Sequence, residues 1–269
     1  MKETELINSV LPKILGKEGV KLYPYQEKFI DTISTNKCTC VVKARCVGYT
    51  KSYLIHSLFR LYELYKTDKP SYEKSVFVMI FHNGMAANYA ETFLKNALCY
   101  FEEDKFVEEA LSHLNLLSPG RVKNWIISRR CRRIEELFLD EYGFLENVDF
   151  LGQLFTSFEI AKVIGVTTLN NGTFNAQKFI NNLSPSVIFT PWYECPNLNK
   201  NLEWERLGTV IKEPTINKDG DVAYNPEKWR LMISDWWTPT NEWYRKMCEL
   251  MAPTFKQELN CKNDKRIFF

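Results

Sequence analysis

One stretch limits what this chain can fold into more than any other: a strand-like apolar run that breaks into a basic turn and then into a helical pattern. It occupies residues 38–52, Cys-Thr-Cys-Val-Val-Lys-Ala-Arg-Cys-Val-Gly-Tyr-Thr-Lys-Ser. Val41 and Val42 centre a short apolar run expected to be a buried strand. Lys43, Arg45 and Gly48 lie in the turn, and from Thr50 the chain enters Tyr53, Leu54, Leu58 and Phe59 at helical spacing. Strand, glycine-bearing basic loop and helix N-terminus together make a phosphate-binding loop. Backbone N–H groups point inward, the helix end adds partial positive charge, and a lysine adds a full one. The stretch reads as a nucleoside-triphosphate site built from Lys43, Ala44, Arg45, Cys46, Val47, Gly48, Tyr49, Thr50 and Lys51.

The spacing departs from the usual Gly, four residues, Gly-Lys-Ser/Thr. Gly48 is followed by Tyr49 and Thr50. Ending the loop at Lys51-Ser52 leaves no glycine in the right place. Keeping Gly48 as the last glycine and Thr50 as the magnesium-facing hydroxyl moves the phosphate lysine back to Lys43, on the strand side.

Composition matters here mainly for what it excludes. With 269 residues and 45% hydrophobic content, the chain can bury one large domain, or one domain and a small one. Its 35 basic and 33 acidic residues leave no footprint of a dedicated nucleic-acid binder. The 8 cysteines form no Cys-x-x-Cys pair and there are only 3 histidines, which argues against zinc and for reduced thiols. The amino terminus lacks a signal-peptide shape and no apolar run reaches membrane length, so a soluble intracellular protein is expected.

Along the chain, residues 5–20 are expected to form a short helix ending near Gly16 or Gly19. Tyr23, Pro24, Tyr25 and Gln26 then cluster ahead of the loop; a glutamine amide donates and accepts at once, which suits a base edge, and the pattern equally suits an amphipathic helix. Ser75–Phe81 reads as an interior strand, followed by a helix from Met85 to Tyr100 with Tyr89, Phe93, Leu94 and Ala97 on one face. His82 is taken as a turn residue, outside the site. Residues 101–117 read as a surface helix, and Trp125–Ile127 as a strand. Arg129, Arg130, Arg132 and Arg133 suit a solvated hairpin tip or a DNA phosphate contact.

Two further signals carry chemistry. Ile134–Leu139 is an apolar strand ending in Asp140 and Glu141. Such a pair divides the work of hydrolysis: Asp140 to hold Mg²⁺, Glu141 to orient and deprotonate water. The strand Ala161–Val166 runs into Thr167, Thr168 and the turn Asn170-Asn171-Gly172. Ser186–Thr190 is a further strand. Residues 194–225 read as an irregular insertion with a hairpin turn at Asp219-Gly220. The remainder, with Trp229, Trp236, Trp237, Trp243 and Tyr244, reads as a helical lid packed on the sheet.

In this order, the Gln26 cluster, the Lys43-x-x-x-x-Gly48-x-Thr50 loop, Asp140-Glu141 and Thr167-Thr168 resemble the ATPase of large terminase subunits, motors that package viral DNA. The displaced lysine looks most like the terminases of lambda-type tailed phages, and Phe255-Lys256-Gln257-Glu258 is similar to the close of that region. The resemblance implies an α/β fold: a mostly parallel sheet flanked by helices (a P-loop ASCE-type ATPase core, residues 1–193) with a small C-terminal helical subdomain (194–269). It implies adenine contacts from Gln26 and Tyr25, phosphate neutralisation by Lys43 and Arg45, a Thr50–Asp140 magnesium site, Glu141 as base, and Thr167 and Thr168 as phosphate sensors. Expected cofactors are ATP and Mg²⁺. Expected partners are double-stranded DNA, a portal protein and a small terminase subunit, in a homo-oligomeric ring in the host cell cytoplasm, with no membrane. The family's RNase H-like nuclease is not expected: Asp235 resembles its first strand, but too little chain follows. A helicase-like DNA-dependent ATPase and a non-catalytic packaging module stay open as alternatives.

Overall fold

Apolar runs too continuous to leave a face in water form the centre of the molecule. They pair into a six-stranded sheet made of β1 (Cys38–Lys43), β2 (Phe77–Phe81), β3 (Leu114–Leu117), β4 (Arg133–Asp140), β5 (Glu159–Thr168) and β6 (Ser186–Thr190). The order is β3-β2-β4-β5-β1-β6 and every pairing is parallel. Parallel strands need crossovers, and the crossover helices cover both faces. The structure, a computed structural model, describes residues 3–16, 18–44, 47–128, 133–145, 149–168, 180–216 and 220–250.

The helices are α1 (Glu3–Leu15), α2 (Pro24–Thr35), α3 (Tyr49–Thr67), α4 (Lys69–Lys74), α5 (Gly84–Leu98), α6 (Asp104–His113), α7 (Pro119–Ser128) and α8 (Asp149–Ser157). On one face Val41, Phe138 and Val166 pack with side chains of α1, α2, α3, α5 and α6. On the other, Val42, Leu137 and Leu139 meet Trp125 of α7 and Leu151 and Leu154 of α8. Neighbouring residues of one strand thus feed different cores, as the period of two requires.

Register decides what meets at the carboxyl end of the sheet. Lys43 lies opposite Thr168 on one side and Thr190 on the other, while Asp140 lies opposite Val166. β5 sits between the loop strand β1 and the acid strand β4. Both chemistry-bearing strands therefore finish at one edge, where open parallel sheets bind ligands.

Several local expectations are corrected. Residues 114–117 leave the surface helix and pair with β2 as an edge strand, with Leu114 and Leu117 buried. Trp125–Ile127 is helical: Val122 and Trp125, one turn apart, face the core, and the Trp125 indole N–H donates to Asn115 Oδ1 at 2.9 Å. An apolar run that short carries no periodicity to separate strand from helix. On α5 the buried side chains are Ala87, Ala90, Leu94, Ala97 and Leu98, while Tyr89 is exposed.

The C-terminal part holds strands as well as helices. β7 (Glu203–Arg206), β8 (Thr209–Lys212) and β9 (Thr238–Thr240) form an antiparallel sheet ordered β8-β7-β9. Its hairpin turns at Leu207-Gly208, with φ 49° and 81°. A separate antiparallel bridge joins Thr215 to Val222, on either side of the turn expected at Asp219-Gly220; Asp219 lies outside the described residues. Helices Pro226–Ser234 and Glu242–Leu250 flank it. Trp192, Trp204 and Trp229 are fully buried and join the hydrophobic cluster that covers the α3 face of the large sheet. Trp192 stacks on Tyr244 at 4.8 Å. Trp236 instead stands 83% exposed. Arg129, Arg130 and Arg132, Asn170-Asn171-Gly172 and Phe255–Glu258 lie outside the described residues.

Candidate functional site

The phosphate loop's usual lysine position is taken by Tyr49, and its side chain turns inward. Tyr49 is fully buried, its hydroxyl pairs with Thr190 Oγ1 at 2.6 Å, and its ring packs edge-on against Tyr25 and Phe29. The cation comes from the strand instead. Lys43, 5% exposed at the end of β1, places its ammonium 2.5 Å from Glu141 Oε1 and 3.2 Å from Thr168 Oγ1. Gly48, at φ 82°, starts α3, and a Cβ there would stand 2.8 Å from Gln26 Nε2. Only glycine fits both the left-handed backbone and the close approach.

The carboxylates divide as their partners do. Thr50, in the first turn of α3, donates to Asp140 Oδ1 at 2.7 Å. Burial, joined by the charge of Glu141, pushes Asp140 up to about 6, although Thr50, Lys43 and His82 pull the other way. Burial acts on Glu141 too, but Lys43 and the hydrogen bonds from Thr168 outweigh it and hold that carboxyl below its ordinary value. The Thr168 N–H donates to Glu141 Oε2 at 2.8 Å and its hydroxyl lies 3.2 Å from Oε1. Glu141 occupies left-handed backbone, φ 50°, a costly conformation that turns its side chain back over the strand ends.

Thr167 sits beside the acidic turn. Its hydroxyl accepts from the Gly143 N–H at 3.0 Å and donates to the Thr168 carbonyl at 3.0 Å. A Cβ at Gly143 would meet that hydroxyl at 2.5 Å, so the turn after the acid pair lies directly on β5. Thr167 and Thr168 thereby tie β5 to the acidic turn.

A cavity of about 720 Å³ opens over these groups, lined by Lys43, Val47, Gly48, Tyr49, Thr50, Lys51, Asp140 and Glu141. Phe81, His82, Asn83, Met85, Ala86 and Tyr89 close its far side. Sequence reasoning missed that wall, although His82 sits just past β2, at the same sheet edge. Lys51 is exposed, with its ammonium 5.8 Å from the Tyr89 ring centre and 5.9 Å from that of Phe93.

Gln26 and Tyr25 are elsewhere. The Gln26 amide accepts from the Tyr23 N–H at 2.9 Å and donates to the Val47 carbonyl at 3.1 Å. Tyr25, 2% exposed, also donates to the Val47 carbonyl, at 3.0 Å. Both brace the loop from behind and neither lines the cavity. Ala44 is buried, its N–H bonded to the Thr190 carbonyl at 2.9 Å. Arg45 and Cys46 lie outside the described residues.

The donor set suits magnesium. A hydroxyl and one carboxylate at hydrogen-bond distance are the few hard oxygens this ion takes from protein when phosphates supply others. No group of three or more His, Cys, Asp or Glu that would hold a metal occurs among the described residues. Nor is any helix among them long and apolar enough to cross a membrane.

No protein-family model matches the chain, and no curated protein matches it in sequence. Solved structures do resemble it. The structure of Mss116p bound to ssRNA and AMP-PNP aligns at a TM-score of 0.50 and 16% identity, over 70% of this chain and 43% of that one. The DUF1998 helicase MrfA bound to DNA aligns at 0.47 and 12% identity, over 81% of this chain and 33% of that one. This chain thus spans less than half the length of either, and at such identity the likeness to Mss116p speaks for the fold alone. The fold is α/β, a parallel six-stranded sheet flanked by helices, and it is shared in part with the Mss116p structure.

Proposed function

We propose that this chain is a helicase-like ATPase core that hydrolyses ATP with Mg²⁺ and couples the cycle to movement along nucleic acid. One observation carries the reading: Lys43, Thr50, Asp140 and Glu141, distant in sequence, converge on one cavity at the carboxyl end of the sheet. Bound there, Mg²⁺ would neutralise charge on the terminal phosphates. Thr50 and Asp140 would hold it. Lys43, freed from Glu141, would meet phosphate oxygens, with Arg45 assigned the same task. Glu141, kept ionised by its neighbours, would accept a proton from the attacking water. Backbone N–H groups of Val47–Lys51 at the start of α3 would cradle the anion. Thr167 and Thr168 would carry a change at Glu141 into β5. Gln26 and Tyr25 would act by holding the loop, with any base contact requiring release of the Gln26 amide. That a neighbour of this fold was solved with ssRNA and AMP-PNP supports both the nucleotide and a nucleic-acid track.

A narrower reading rests on the lysine. With Tyr49 buried where a lysine usually stands and Lys43 reaching in from the strand, the site fits the displaced-lysine loop of terminases. On that reading the track is double-stranded DNA, the partners are a portal and a small terminase subunit, the motor is a ring in the host cytoplasm, and residues 194–269 form a lid over a 1–193 core. ATP hydrolysis by wild type, Lys43→Ala, Lys51→Ala and Glu141→Gln, with and without duplex DNA, single-stranded DNA or RNA, tests both. Loss in Lys43→Ala but not Lys51→Ala supports the loop frame, and the reverse refutes it. Stimulation by single strands only favours the helicase-like form over the packaging one. A wild type that neither binds nor hydrolyses ATP sinks both.

A further inference from the structure

Below the cavity, α3 and β4 stay in register through a row of contacts that begins at the Thr50–Asp140 hydrogen bond and runs on into groups that the chemistry above does not use. Every third residue of α3 meets every second residue of β4. Thr50 reaches Asp140, Tyr53 stacks on Phe138 at 4.0 Å and donates to Glu136 Oε2 at 3.0 Å, and His56 Nε2 lies 3.3 Å from Glu136 Oε1. Three helical residues advance about 4.5 Å and two strand residues about 6.6 Å, so the two rows cannot match indefinitely. Tyr53 absorbs the mismatch by touching both Phe138 and Glu136.

The far end of this seam is ionic and sealed. His56 and Glu136 have side chains 1% and 3% exposed, and Glu3 of α1 pairs with the other ring nitrogen of His56. A buried ion pair seldom stabilises more than apolar side chains of the same volume. What it does supply is register, because either charge left unpaired is costly. A one-turn slip of α3 along β4 would strand both His56 and Glu136, whereas a purely apolar seam would tolerate it.

We propose that this seam, anchored by His56 and Glu136, is a positioning device that sets the Thr50–Asp140 separation and with it the Mg²⁺ affinity of the site. The Mg²⁺ part rests on the ATPase reading above; the positioning part does not. The groups facing His56 are Glu136 from β4, Glu3 from α1 and Tyr53 from its own helix, with Arg60 and Ser34 acting on Glu3. His56, Glu136 and Tyr53 are positioning residues: none of them lines the cavity.

The test uses the full chain as His56→Gln, Glu136→Gln, the double variant, and Tyr53→Phe, which removes only a hydroxyl. Leu98→Val, in α5 and away from the seam, serves as a stability control. Amide hydrogen exchange is followed at Thr50–Tyr53 in nucleotide-free protein, together with the Mg²⁺ concentration for half-maximal hydrolysis at saturating ATP. His56→Gln, which leaves Glu136 and Glu3 without their cation, should speed exchange at those amides and raise the Mg²⁺ midpoint about tenfold, and Glu136→Gln, which leaves His56 paired with Glu3, should do the same to a smaller extent. The double variant, with no unpaired charge between the two positions, should recover most of both, and Tyr53→Phe should show a smaller change. If the variants lose thermal stability as Leu98→Val does but keep wild-type exchange at Thr50–Tyr53, the seam is only structural and the proposal fails. Should a single variant not fold, Tyr53→Phe and the double variant decide by the same exchange measurement. Should the wild type not turn over ATP, the ATPase reading falls, and exchange still decides whether the seam positions the loop helix.

Discussion

Two of the cation–carboxylate pairs along β4 and its carboxyl end, Lys43–Glu141 and His56–Glu136, differ in what lies beside them. At its carboxyl end Lys43 meets Glu141 under a cavity of about 720 Å³. One turn of α3 further from the loop than Tyr53, His56 meets Glu136 in a place with side chains 1% and 3% exposed. The chemistry of the groups is alike. Only the first pair has room for a third party, so its attraction can be exchanged for one to a ligand, whereas the second is spent within the protein. Paired charge that borders open space is therefore available to a ligand, and paired charge that does not serves the scaffold.

Substitutions can break that contrast, the largest effects coming first. Glu141→Gln should cut ATP turnover by about two to four orders of magnitude, measured as phosphate release, because a proton acceptor is lost. Nucleotide binding should persist. Lys43→Ala should lose about two orders of magnitude in kcat/KM and weaken nucleotide binding as well, since its charge acts on the bound phosphates. If either variant hydrolyses ATP like wild type, the cavity is not the reaction site.

The sealed pair should answer in stability instead. Burial opposes charge on His56, but Glu136 and Glu3 prevail and raise it from 6.5 to about 9. A group whose folded value lies above its unfolded one stabilises fully below the unfolded value. Its contribution should therefore be whole below about pH 6.5 and fade as the pH climbs to about 9, by a few kcal/mol in chemical unfolding. Burial likewise opposes ionisation of Glu3, yet His56 and Ser34 hold it below 4.5, so its share is present above that value and lost as the pH falls. In Glu136→Gln the alkaline loss should shrink; an unchanged profile would mean that His56 is not the group titrating.

Gln26 is the intermediate case, and the smallest effect. Its amide braces Val47 from outside the cavity, so Gln26→Ala should cost about 1 kcal/mol of stability, read by denaturant unfolding. It should raise KM for ATP and GTP by equal factors. A selective loss for ATP would instead make Gln26 a reader of the base.

Much of the fold was legible because buried parallel strands are written as unbroken apolar runs. Phe77–Phe81, Leu137–Leu139 and Val187–Phe189 carry that mark, and all three lie in the sheet. Elements read wrongly were short ones whose state depends on neighbours. Leu114–Leu117 is a strand because β2 offers it an edge, and Trp125 is helical because Asn115 receives its indole. The small sheet of β7, β8 and β9 was illegible for the same reason: its third strand, Thr238–Thr240, arrives from far along the chain.

Taken by itself, the sequence determined which groups are available: a cation ahead of the glycine, a hydroxyl after it, an acid pair at one strand end and two threonines at another. Those are matters of local order, since strand, loop and helix propensities place a side chain relative to its own backbone. Which of these groups share one space was decided only by tertiary structure. Strand order put β5 between β1 and β4, parallel register aligned Lys43 with Thr168, and packing turned Tyr49 inward and occupied Gln26. Convergence is a property of long-range pairing, whose free energy comes from surfaces buried between segments, and no single segment carries it.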